Sequence, residues 1–167
     1  MIKKTVWFSL FLLTFLSRAH GSVGGSVDDF KNSKFAAAEN FAFHDSYLIT
    51  DDPVYKGKYA FNFFTPDRRY KLQLIADKRG KNIVFEYLLY PAADDQMIAL
   101  KDGSIAISFV SQSSGQAVPA EQFVSIVSEA NRGSRNVKYT KDINGYSVTV
   151  ARYETDALSG WAIGIHK

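Results

Sequence analysis

Apolar and polar positions alternate most regularly between Tyr59 and Leu89. The stretch reads Tyr-Ala-Phe-Asn-Phe-Phe, then Thr65-Pro66-Asp67-Arg68, then Tyr-Lys-Leu-Gln-Leu-Ile, then Asp77-Lys78-Arg79-Gly80, then Ile-Val-Phe-Glu-Tyr-Leu-Leu. A period of two is strand patterning, and proline in one break and glycine in the other suit tight reversals. Three antiparallel strands are therefore predicted. Short loops place Phe64 opposite Arg69 and Ala76 opposite Lys81. Tyr59, Phe61, Phe63, Tyr70, Leu72, Leu74, Ile83, Phe85 and Tyr87 then share one apolar face. Lys58, Asn62, Arg69, Lys71, Gln73 and Glu86 share the other, with Lys71 across from Glu86. Slipping the second loop by one residue buries Glu86 among leucines, which cross-strand pairing disfavours.

The flanking segments supply further elements. Ser26 and Asp29 have capping-box spacing, and Val27, Phe30, Ala37 and Phe41 follow near helical spacing, predicting a helix over 27–39. Phe41 to Ile49 reads as a strand, ended by Asp51-Asp52-Pro53. Pro91 opens one helical turn. Met97–Leu100 and Ser104–Val110 flank Lys101-Asp102-Gly103, which predicts a hairpin with Asp-Gly in its turn. Ser111–Gly115 reads as a loop. Pro119–Asn131 is the clearest helix, with Ala120, Phe123, Val127 and Ala130 in one stripe and Gly133 behind it. Asn144-Gly145 predicts a two-residue hairpin that pairs Ile143 with Tyr146 and places Val148 and Val150 inward. Leu158–Ile165 alternates as a last strand.

Runs of hairpins interrupted by a helix define an α+β class with antiparallel pairing. The expected architecture is a strongly curved sheet of about eight strands with two helices, one packed on the sheet. A β-sandwich or flattened barrel with a lateral helix is the alternative.

Charge and composition change this picture at the N-terminus. Lys3 and Lys4 precede an uncharged apolar run from Val6 to Leu16, and Ser17, Ala19 and Gly21 follow. This order is that of a cleaved secretory signal over 1–21, and the run is short for a bilayer span. A single domain over 22–167 remains. Of the 20 basic residues, Lys3, Lys4 and Arg18 belong to the leader, which leaves 17 basic against 17 acidic. The remaining chain is near neutral, which argues against nucleic acid as a partner. The absence of cysteine excludes disulfides and thiol chemistry. No Asn-x-Ser/Thr sequon occurs. Together these features indicate a bacterial periplasmic or secreted protein without a stable membrane span after processing.

Catalytic motifs are sparse. His44 and His166 are far apart and lack ligand spacing, so neither a metal nor a cofactor is expected. Asp45 neighbours His44, but on a strand it points to the opposite face. No nucleophile elbow, phosphate loop or zinc-protease motif occurs. Asp51-Asp52 and Asp94-Asp95 fit turn formation better than acid–base work. Lys78, Arg79 and Lys81 fit a solvated turn. Arg68 and Arg69 are the candidate partner-binding residues, because adjacent guanidinium groups suit a carboxylate or phosphate. Tyr55, Tyr90 and Tyr153 lie at strand ends, where tyrosine favours recognition.

Three functions follow. The first is an exported non-enzymatic binding module, inhibitor-like or toxin-neutralising, docking on another exported or envelope protein. The second is a carrier of an apolar small ligand or lipid between helix and sheet. The third is a hydrolase with an unfamiliar site, disfavoured by the missing catalytic constellation. Pocket shape discriminates them. Export predicts that protein purified from the source cell begins near His20 or Ser22 on N-terminal sequencing. An intact Met1 there rejects export.

Overall fold

The computed structural model describes residues 21–155 and 158–167, so the leader expected over 1–21 lies almost entirely outside them. The chain runs α1 (Val27–Lys31), α2 (Lys34–Ala38), β1 (Ala42–Leu48), β2 (Tyr59–Phe64), β3 (Lys71–Ala76) and β4 (Phe85–Pro91). It continues through α3 (Gln96–Ser114), α4 (Ala120–Arg132), β5 (Lys138–Ile143), β6 (Tyr146–Glu154) and β7 (Ser159–His166). The class is α+β. The strands form one open antiparallel sheet of seven, ordered β1-β2-β3-β4-β7-β6-β5. It closes into neither barrel nor sandwich. The two long helices cover one face, and the core between helices and sheet includes Phe30, Phe63, Leu72, Leu74, Leu88, Phe109, Ile126, Val148, Val150, Ile163 and Ile165.

Fewer strands form than expected because the expected 97–110 hairpin, both strands of it, is a helix. Asp95 caps it by accepting from the Ile98 amide, and Gly115 ends it in the left-handed region at φ 69°. Ile105, Ala106, Phe109, Val110 and Ser113 are buried at helical spacing, while Met97 and Leu100 are exposed. Asp102-Gly103, expected in a turn, sits mid-helix, because Asp102 is bonded from inside the fold.

The first helix divides in two. Ser26 and Asp29 form the expected capping box, but Asn32 closes α1 and the Ser33 hydroxyl recaps α2 on the Ala36 amide. The helix expected over 119–131 forms as α4, burying Phe123, Ile126 and Ala130. The Asn144-Gly145 turn also forms as expected, both residues at positive φ, with Ile143 opposite Tyr146 and the Thr140 and Thr149 hydroxyls 2.9 Å apart outside.

The central meander forms with different registers. Phe63 pairs with Leu72 rather than Tyr70, an even slip that leaves the paired side chains of β2 and β3 on their expected faces. Leu72 pairs with Leu88 rather than Phe85, an odd slip of three residues. That slip reverses the faces of β4: Glu86 turns inward opposite Leu74, and Phe85 and Tyr87 turn outward. The N-terminal segment takes up the backbone of Ile83, with Gly24 N donating to Ile83 O at 2.7 Å and Ile83 N to Gly25 O at 2.9 Å. Asn82 takes the left-handed region at φ 54° in the turn that leads into β4. On the outer face, Phe85 is buried under Tyr55 and His166, at ring distances of 5.5 Å each.

A helix rather than a hairpin at α3 predicts opposite sensitivities along it. Phe109→Ala should cost about 3–5 kcal/mol in chemical denaturation, as for a buried aromatic. Met97→Ala, 74% exposed, should change stability by about 0.5 kcal/mol or less.

Candidate functional site

The odd slip carries Tyr90 to the inner face at one end of the sheet. There it pairs with Trp161 of β7, which pairs with Arg152 of β6. The three side chains stand in a row across adjacent strands. They form the floor of a groove walled by Ala99, Gly103 and Ile107 of α3 and by Phe123, Val124 and Val127 of α4, with a volume of about 360 Å³. This volume is that of a small-molecule site, and most of the wall is apolar.

Arg152 is the groove's cation. Nη1 donates to Asn131 Oδ1 at 2.7 Å, and the guanidinium lies 5.9 Å from the Trp161 ring centroid. Its Nε is buried without a hydrogen-bond partner. A buried, unmet donor on a charged group is costly, and an anion placed beside it recovers that cost.

Asp102 stands in the α3 wall and is already committed. Arg69 donates to it through Nε at 3.1 Å and Nη2 at 2.5 Å, and the Tyr70 hydroxyl donates at 2.5 Å. Arg69 Nη2 also reaches Pro91 O at 3.3 Å. The Asp102 bond raises the Arg69 pKa further. Burial, followed by the Asp102 hydrogen bond, pushes Tyr70 up to about 12. Burial raises the Tyr90 hydroxyl further still. These tyrosines are neutral donors, not bases.

The expected partner-binding pair is thus divided. Arg68 is exposed at φ 56°, its guanidinium 5.5 Å from the Phe64 ring centroid. Arg69 is turned into the fold by Asp102. His44 is exposed and packs edge-on against Phe64, while His166 stacks on Phe85. Neither lines the groove. Asp52 accepts from the Val54 and Tyr55 amides, and Asp95 caps α3, so both serve local structure. Among the described residues no three His, Cys, Asp or Glu side chains group as a metal site. No described helix is long and apolar enough to cross a membrane.

Sequence reasoning overlooked Arg152, although a signal was present. Tyr146, Val148 and Val150 alternate inward, and Arg152 is the next inward position. A charge continuing an apolar stripe marks either a strand end or a site.

No protein-family model, curated protein or solved structure matches this chain.

Asp102→Ala strands a half-buried guanidinium and a buried phenol. It should cost about 3–5 kcal/mol in urea unfolding, as for one partner removed from a buried pair. A loss under 1 kcal/mol indicates that water replaces the carboxylate.

Proposed function

We propose that the protein is an exported, non-enzymatic binding module that carries a small apolar ligand with one anionic end in the α3–α4 groove. The observation that carries this reading is an apolar groove, open to solvent, with an incompletely bonded guanidinium in it. Apolar walls favour a hydrocarbon body, and Arg152 favours a carboxylate or similar head. The groove contains no histidine, and its carboxylate is held by Arg69, so it supplies binding rather than acid–base chemistry. The leader pattern supports export.

The residues present allow a direct titration. Trp161 is the sole tryptophan outside the leader, since the other is Trp7. Dodecanoate should shift Trp161 fluorescence saturably, and its methyl ester should bind roughly tenfold more weakly for the lost charged hydrogen bond. Arg152→Gln should remove most of that preference. Gly103→Leu offers a second test, because a Cβ there meets open space within 4 Å. It should fill the groove and abolish binding while raising helix stability by about 0.5–1 kcal/mol. Unchanged dodecanoate binding in Gly103→Leu rejects the groove as the site.

Docking on another exported or envelope protein is the second reading, and Arg68 is the observation that favours it. Its exposed guanidinium lies on the β2–β3 turn beside the Phe64 ring. Arg68→Glu should then reduce partner recovery from the native envelope, more so at low salt. Equal recovery by wild type and variant rejects that surface.

A further inference from the structure

Glu86 is wholly buried on the central strand β4, between Leu74 of β3 and Ile165 of β7. The Ser113 hydroxyl of α3 donates to Oε2 at 2.5 Å, and Oε1 has no hydrogen-bond partner. The neighbouring Ser22 hydroxyl is also buried without a partner in bonding geometry, although it lies close enough to act on the carboxyl. Among the described residues no charged side chain contributes to the environment of Glu86: burial pushes it up to about 7, and the Ser113 and Ser22 hydroxyls oppose that shift. A carboxyl so placed lacks a cation.

The position of Ser22 indicates where a cation would come from. Ser22 N donates to Gln112 O at 3.2 Å, and Val23 N to Ser113 O at 3.1 Å. These are last-turn carbonyls of α3, the negative end of the helix dipole, where positive charge is favoured. The Ser22 nitrogen is joined through Cα and Cβ to the hydroxyl beside Glu86. An amino terminus at Ser22 would keep its bond to Gln112 and gain two further protons to direct at the carboxylate. Gly21 also fits a cleavage point. A Cβ on it would lie 2.3 Å from Ser113 O, so the backbone of the uncut chain passes closely over the end of α3 at this residue. Glycine also meets the small-residue demand of signal cleavage.

We infer that the chain is processed between Gly21 and Ser22, and that the α-ammonium of Ser22 so created is bound by Glu86 and the C-terminus of α3. Hydrolysis of the Gly21–Ser22 peptide bond consumes one water, leaving a carboxylate on Gly21 and an ammonium on Ser22. The inference rests on the export reading and selects between the cleavage points that the leader allows. The pairing ties the centre of the sheet, the end of α3 and the N-terminal strap together only after processing.

Intact mass and N-terminal sequencing of protein from the source cell test the cut. A start at Ser22 is expected. A start at His20 overturns this inference and leaves export standing, and an intact Met1 overturns both. Two recombinant chains, one beginning at Ser22 and one retaining His20-Gly21, test the pairing. Periodate oxidises an N-terminal serine through its adjacent amine and hydroxyl. In the folded Ser22 chain this oxidation should be at least roughly tenfold slower than in urea, because the buried amine reacts only on opening. Equal rates overturn the pairing without any variant. In the longer chain Glu86 keeps a raised pKa. Its melting temperature should fall as pH rises from about 4.5 to 7, where the folded state binds the extra proton. Glu86→Gln should abolish that fall. In the Ser22 chain the fall should be absent, and Glu86→Gln should lower the melting temperature at pH 7. An unchanged or raised value there overturns the pairing.

Discussion

The ion pair between Arg69 and Asp102 holds α3 in place over the sheet. It joins the turn after β2 to the first half of a 19-residue helix, and Tyr70 adds a second donor to the same carboxylate. Asp102 is buried, so its charge is tolerable only with these partners. Breaking the pair leaves an unpaired charge, whereas an apolar substitute for all the partners need not destabilise the fold. The pair therefore specifies helix position more than it adds stability. That position matters because α3 makes one wall of the groove.

The groove follows from how the two long helices share one sheet. α3 lies over β4 and β7, and α4 lies over β5 and β6. Between them the end of the sheet shows Tyr90, Trp161 and Arg152 instead of being sealed by side chains. Small residues on α3, Ala99 and Gly103, keep the space open. Leu100 at 63% exposure and Val124 at 54% add apolar surface on α3 and α4. An apolar ligand gains from such walls without a directed contact, whereas a charged head gains only where a donor is unmet. In the proposed carrier, that difference makes Arg152 the specificity element and the helices the affinity element.

Particular residues show how far the sequence could be read. The capping box at Ser26, the helix from Pro119 and the Asn144-Gly145 turn rest on contacts within a few residues, and all formed where local chemistry placed them. The segment 97–110 did not. Ile105, Ala106, Phe109 and Val110 do have helical spacing, but Met97 and Leu100 are apolar and exposed and Asp102 is polar and buried, so the first half of the segment obscures the helical face. The β3–β4 register failed for a similar reason. Pairing Lys71 with Glu86 is sound locally, but the N-terminal segment hydrogen-bonds Ile83 from outside the hairpin, where the register departs from that pairing. Of the site, Tyr90 is legible as a strand-end tyrosine, whereas Arg69 reads in sequence as a partner-binding cation beside Arg68 and is bonded to Asp102 in the fold.

The sequence by itself determined the class: antiparallel strands, an inserted amphipathic helix and a cysteine-free core. Those properties arise from periodicity and composition, which act within single elements. Only the tertiary structure decided which polar groups are buried. Asp102 and Glu86 lie on different elements, and each interior position depends on partners distant in the chain. A buried charge is acceptable only after those partners have arrived, so its place cannot be read from its neighbours in sequence.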